Sequence, residues 1–268
     1  PELFRLNLVR GRGLLCRALM KAQMTSPGFT HIYVALMAVV NTKMPENGEL
    51  LLKRVIYQFR RAYGRNNKIA AIALAKFIAH MVNQQVAHEL LALQVLFLLL
   101  ENPTEDSVEI AVGFTMEIGQ ILSELSPAGL EEVLKRFRGI LHEGTIDKRV
   151  QYTIENLFAI RRNGFKDFPA VRDVFSLMLF QIISLTTSST SGSIRKYNLE
   201  NIRTPTLKHQ QVHEQLDLIE ASDQITHDTS LDDESIEIED HLDVFNEDPE
   251  FQENEKLWAE IRREVLDD

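Results

Sequence analysis

Between residues 12 and 163 the apolar side chains recur at spacings of three and four, stretch after stretch, with only short breaks between stretches. That spacing places them on one face of a 3.6-residue helix. It excludes the strict alternation of a half-buried strand. Leu52, Val55, Ile56, Phe59 and Tyr63 form one such face. Val108, Ala111, Val112, Thr115, Gly119 and Leu122 form another, and Ile146, Val150, Ile154, Leu157 and Phe158 a third. Ile69, Ile72, Ala73, Lys76, Phe77 and His80 cross a mostly apolar face between the first two.

The breaks carry start signals. Ser26-Pro27 and Ser126-Pro127 both pair a capping hydroxyl with a proline suited to the first helical position. Asn102-Pro103-Thr104 ends one helix and caps the next, with Glu105 and Asp106 in its first turn. The pattern predicts helices over 27–42, from the break at Pro45 to Gly48 to Tyr63, over 66–82, over 86–100, from Thr104 past Leu122, from Pro127 to His142, and from Gly144 to Phe158. The helix over 86–100 is apolar nearly all round, which predicts burial on several sides.

About eight helices in consecutive pairs of roughly 35–40 residues predict an all-α, HEAT-type solenoid of antiparallel helix pairs. A globin-like fold is the alternative. A tryptophan count of one, with 12 Gly and 8 Pro, disfavours a turn-rich β protein.

After residue 172 the texture changes. Residues 173–215 read as an atypical insertion, apolar at first and then low in complexity over Thr186 to Ser193. Residues 216–248 are an acidic linker with few large apolar groups. Composition predicts no fixed structure there, since too little area can be buried to offset chain entropy. Residues 249–268 predict a terminal helix with Phe251, Leu257, Trp258, Ile261 and Val265. The net charge of −10 hides a split. Residues 1–172 carry 22 Lys and Arg against 16 Asp and Glu, whereas residues 173–268 carry 7 against 23. A basic body with an acidic tail suits association with nucleic acid, and equally a solvated linker beside an ordinary domain.

Catalytic patterns are absent from the chain. Gly11-Arg12-Gly13 is too short for a dinucleotide fingerprint. His88-Glu89 begins like a zincin motif, but Ala92 stands where the second histidine belongs. His80 and His88 read as structural histidines, and no nucleophile-elbow sequence frames a serine. The lone cysteine, Cys16, can form neither an internal disulfide nor a zinc site, which predicts a reducing compartment. No apolar run reaches the roughly 18 residues of a membrane span; the longest, Val174 to Leu185, contains Ser176 and Gln181. The reading is therefore of a non-enzyme with no cofactor, no metal, no membrane and no small-molecule substrate.

What remains is surface. Lys53, Tyr57, Arg60 and Arg61 lie opposite the apolar stripe of their helix, and Arg65 continues the cluster. Arg10 and Arg12 sit in a Gly-rich break, and Lys148, Arg149 and Tyr152 share a later stripe. Taken singly, each reads as a solvated helix face. As a set they form candidate partner-binding patches, attractive to an acidic protein surface or to RNA phosphates.

Several short motifs then occur in order: Val9-Arg10-Gly11-Arg12-Gly13-Leu14-Leu15, Phe29-Thr30-His31, Asn47-Gly48-Glu49-Leu50, Phe77-Ile78-Ala79-His80 and Val86-Ala87-His88-Glu89. Asp106-Ser107-Val108-Glu109, Ile146-Asp147-Lys148-Arg149-Val150-Gln151-Tyr152 and Gly164-Phe165-Lys166-Asp167 follow. Over residues 1–172 these resemble the nucampholin family, the Cwc-type pre-mRNA splicing factors, in the domain similar to the middle domain of translation initiation factor 4G. Leu216-Asp217-Leu218 and Asp223-Gln224 with Thr226-His227 resemble the same family's acidic linker.

The resemblance implies a HEAT-type fold and a nuclear spliceosome scaffold. It implies binding of a DEAD-box ATPase, the initiation-factor-4A paralogue of the exon junction complex. The scaffold would hold that ATPase open and inactive and deliver it to the splicing machinery, among other spliceosome proteins and beside the 5′ exon of the pre-mRNA. An RNA-binding helical module is the alternative of a different class, and a translation-initiation scaffold shares the fold.

Three departures stand out. The family's Gly-Leu-Ile-Asn-Lys-like segment that touches the ATPase belongs upstream of Pro1, so the chain reads as a fragment with weakened binding. Its basic loop reads Tyr63-Gly64-Arg65-Asn66-Asn67 where Tyr-Arg-Arg-Asn-Asp is usual. Residues 173–215 match nothing in the family pattern, as either an insertion or unspliced sequence.

Overall fold

The computed structural model describes residues 6–144, 146–171, 224–233, 236, 240–243 and 250–266. The expected insertion over 173–215, the Thr186 to Ser193 tract and most of the acidic linker lie outside the described residues. Among the described residues the fold is all-helical and repeat-like. The helices are α1 (Arg12–Thr25), α2 (Thr30–Lys43), α3 (Pro45–Gly64), α4 (Lys68–Asn83), α5 (Glu89–Glu101), α6 (Glu105–Leu125), α7 (Pro127–Glu143), α8 (Lys148–Arg162) and α9 (Phe251–Leu266). In one layer α2 packs on α4, α4 on α6 and α6 on α8. In the other, α1 packs on α3 and α5 on α7. Between the layers lies one continuous core that includes Met37, Leu51, Phe59, Phe77, Leu96 and Phe137.

Local chemistry explains where the helices start. The Thr104 hydroxyl accepts from the Ser107 amide at 3.1 Å while the Ser107 hydroxyl accepts from the Thr104 amide at 2.9 Å, a reciprocal cap on α6. Asn67 caps α4 through the Ala70 amide, and Asp147 caps α8 through the Arg149 amide. These caps correct the expected boundaries. α4 starts at Lys68 rather than Asn66, and α8 at Lys148 rather than Gly144. Pro45 does not break the chain; it opens α3, its missing N–H costing nothing in the first turn. Ser26 makes no side-chain capping bond, and Pro27–Phe29 form a 3-10 turn before α2. α5 starts at Glu89 because Ala87 pairs with His227 as a bridge and His88 is extended as the N-cap.

Two expected faces also differ. α5 buries Leu91, Ala92, Val95, Leu96, Leu99 and Leu100 but leaves Leu90 and Phe97 exposed, so it is not covered all round. On α4, Ile69 and Ile72 face outward while Leu74, Phe77 and Ile78 carry the packing.

The acidic tail corrects the composition reading most. Its described part is irregular, yet it is fastened to the body. Residues 224–233 form a strap. His227 donates its amide to Val86 O at 3.0 Å, and its carbonyl accepts from the His88 amide at 3.3 Å, pairing with Ala87 as a parallel bridge. Asn41 Nδ2 donates to Gln224 Oε1 and to Ile225 O at 2.9 and 2.7 Å. Gln94 Oε1 accepts the Leu231 amide at 2.8 Å, and Leu231 is 2% exposed. Asp240–Asp243 then form a 3-10 turn against α1, and α9 buries Trp258 in the core.

Glycines make room for this tail. A Cβ on Gly13 would lie 2.3 Å from Leu242 O, and one on Gly48 would lie 1.9 Å from Asn41 Oδ1.

Candidate functional site

α1 and α3 run side by side, and each turns a stripe of cations toward the gap between them. On α1 the stripe is Arg17, Met20, Lys21 and Met24, at helical spacings of three and four. On α3 it is Arg54, Gln58 and Arg61, continued by Arg65 just past the helix end. Ala70 and Leu74 of α4 close one side. Together they line an open cleft of about 930 Å³.

Arg54 is the buried cation of this cleft. Its Nη1 donates to Gly13 O at 3.1 Å and to Asp243 Oδ1 at 2.7 Å. A charge taken from water needs such partners. Asp243 Oδ2 also lies 4.0 Å from Arg17 Nη1. The acidic tail thus places one carboxylate at the edge of the basic cleft, and Lys21, Arg61 and Arg65 stand exposed around it. Cys16 lies behind the cleft, its Sγ 3.6 Å from Asn47 O. Burial pushes its thiol up to about 12, which makes it a poor nucleophile at neutral pH.

The sequence-expected residues fall into separate places. Arg61 and Arg65 line the cleft. Arg60 reaches the strap, donating to Asp233 O at 2.9 Å. Lys53 pairs with Glu49 one turn back at 2.7 Å, and Tyr57 is half-buried. Arg12 opens α1 and pairs with Glu46 at 2.8 Å. The Arg10 guanidinium lies 4.6 Å above the Phe251 ring of α9, with Glu255 at 4.0 Å. Far along the layer, Glu109 Oε2 accepts from Lys68 and from Arg149, both at 2.9 Å. The Arg149 bond first and the Lys68 bond second hold the Glu109 carboxyl below the usual carboxylate range. Lys148 and Tyr152 are exposed beside that network.

Arg17, Lys21 and Arg54 were missed from sequence. Their signal was the cation stripe at positions 54, 61 and 65 and its counterpart at 17 and 21. The histidines read as structural have the following places. His88 Nδ1 accepts from the Leu90 amide at 3.2 Å and caps α5. His80 Nε2 lies 3.5 Å from Glu117 Oε2 in the core. Among the described residues there is no group of three or more His, Cys, Asp or Glu able to hold a metal, and no helix long and apolar enough to cross a membrane. The arrangement offers charge and shape to a partner.

Comparison with known proteins agrees with this architecture. Residues 12–164 match the MIF4G domain. The chain is 48% identical over 266 residues to the pre-mRNA-splicing factor cwc22 of Aspergillus fumigatus, covering 99% of this chain and 25% of that protein. It is 48% identical over 266 residues to that of Emericella nidulans, covering 99% of this chain and 26% of the relative. It is 45% identical over 267 residues to the human CWC22 homolog, covering 100% of this chain and 25% of the relative. The chain therefore spans about a quarter of the length of the curated relatives it matches.

Proposed function

Because this chain belongs to the Cwc22 family of pre-mRNA-splicing factors and carries that family's MIF4G domain, we propose that it is a nuclear docking scaffold for a DEAD-box ATPase. The ATPase is the initiation-factor-4A paralogue of the exon junction complex. The scaffold holds its two lobes apart and inactive and delivers it to the splicing machinery.

The basic cleft between α1 and α3 carries this reading. It is open, all its lining residues except Asp243 lie within the MIF4G match, and Met20 and Met24 give its cations an adaptable apolar floor. An acidic lobe surface would meet four cations along two rigid helices. A scaffold needs no chemistry to silence an enzyme. It shifts the lobe equilibrium by the ratio of its affinities for the open and closed arrangements. The remaining candidates, Arg10, Arg12, Lys53, Tyr57 and Arg60, which do not line the cleft, and Lys148, Arg149 and Tyr152 on α8, would serve as secondary contacts.

A pull-down without ATP tests this, with the full-length human relative as the positive control. Retention of the exon-junction paralogue over other DEAD-box ATPases is expected. If the control retains it and this chain does not, the docking role of this chain is wrong.

The density of cations in the cleft also favours a second reading, direct contact with RNA phosphates. In that case Arg61→Glu and Arg65→Glu would make the salt dependence of RNA affinity shallower by about one unit for each phosphate-binding cation replaced. Unchanged RNA affinity in the double variant would remove it.

A further inference from the structure

Away from the cleft, α5 and α7 bound an apolar groove of about 660 Å³. Its two walls are helical ridges. On α5 these are Leu90, Leu93 and Phe97; on α7 they are Gly129, Val133 and Arg136. Leu90 is 51% exposed and Phe97 69%, and no described element covers them. Exposing an aromatic ring and a leucine about two turns apart on one helix is costly in water, and such a patch marks a contact surface.

The strap reaches this groove, and Leu231 and Asp232 are among its lining residues. Leu231 is inserted beside Gln94, which accepts its amide at 2.8 Å and donates to Ser230 Oγ at 3.1 Å. Asp232 is the next lining residue. The groove is thus continuous with an interface the chain already makes with itself.

The rim is acidic, against the positive sign of residues 1–172 as a whole. Glu101, Glu132 and Asp232 line it with one cation, Arg136. Arg136 is engaged, donating to Leu100 O and to Glu143 Oε1, both at 3.1 Å. Glu132 shares its charge with Lys135 at 2.6 Å, leaving Glu101 and Asp232 as the rim's other carboxylates.

We propose that the α5–α7 groove docks an amphipathic helix of another protein that presents leucine- or phenylalanine-type residues inward and Lys or Arg at its flanks. Two parallel ridges at spacings of three, four and seven match the face of a third helix. From Leu90 to Glu101 the wall is about 16 Å long, or roughly three turns of such a helix. The surface shares no lining residue with the basic cleft, so it serves a partner of opposite charge.

The test uses the whole chain and two labelled synthetic helices with identical Leu and Ala positions, one flanked by Lys and one by Glu, read by fluorescence polarisation. The Lys helix is expected to bind and the Glu helix not. Leu90→Ser with Phe97→Ser is expected to weaken the Lys helix by about tenfold or more, as loss of central anchors does. Both side chains are exposed, so circular dichroism should be unchanged. Glu101→Lys with Asp232→Lys is expected to weaken the Lys helix while leaving the fold intact. Equal binding of both helices, or full affinity in either variant, would overturn the proposal. So would dimerisation of the chain that Phe97→Ser abolishes in sedimentation, since the occupant would then be a second copy. None of these outcomes bears on the ATPase reading.

Discussion

Arg54 and Gly48 look unremarkable in the sequence, one a cation beside Lys53, the other a glycine near a helix start. Their roles come from residues far along the chain. Arg54 is buried because Asp243, 189 positions away, and Gly13 O accept its protons. Asp243→Ala takes the carboxylate away from a guanidinium whose side chain is only 4% exposed. It is expected to lower unfolding stability by about 3 kcal/mol, measured by urea titration. Asp243→Asn, which keeps an acceptor, should cost less. Gly48 is a space rather than a hinge, since a methyl there meets Asn41 Oδ1 at 1.9 Å. Gly48→Ala must push Asn41 off Gln224 and Ile225. The strap should then loosen before the body does, seen as earlier hydrogen exchange at the His227 amide than at amides within α4 and α6. Neither role was legible from local pattern, because burial and close approach here are set by long-range contacts.

At the scale of elements, the helices were readable, the terminal one over Phe251–Leu266 included, and the strap was not. Spacings of three and four located α2 to α8, and caps moved their ends by a few residues. Predicting lack of structure in the linker from low apolar content weighs buried area alone. The strap is held instead by amide side chains and backbone bonds, from Asn41, Gln84, Gln85 and Gln94, with Leu231 as its main apolar anchor. Composition does not register that kind of attachment.

His227 makes the strap sensitive to acid. Burial lowers its pKa below the ordinary 6.5, with Glu49 opposing that shift and Lys53 reinforcing it. A proton therefore favours the undocked strap. Docking stability from this residue is fully present above about 6.5 and falls as pH drops from there through the depressed value. Limited proteolysis within 224–233 should accelerate between pH 7 and pH 5, and His227→Gln should flatten that rise.

On the scale of the whole molecule, two features of the sequence came together in one place. The basic body and the acidic tail are not separate units among the described residues. The tail crosses α2, α3 and α5, sets Asp243 at the cleft and returns through α9 to Arg10 and Asn7. Cation stripes on α1 and α3 could be counted in the sequence, but only the packing of α1 on α3 makes them a cleft. Charge reversal there is the direct route to the central claim. The turnover of the exon-junction DEAD-box ATPase on RNA and ATP would be followed while this chain is titrated in, beside its Arg61→Glu, Arg65→Glu variant. Suppression of turnover by the parent chain, weakened by about tenfold or more in the variant, is the expected result. Turnover that is unchanged or raised by the parent, or suppressed equally by both chains, would contradict a scaffold that grips the open ATPase through the α1–α3 cleft.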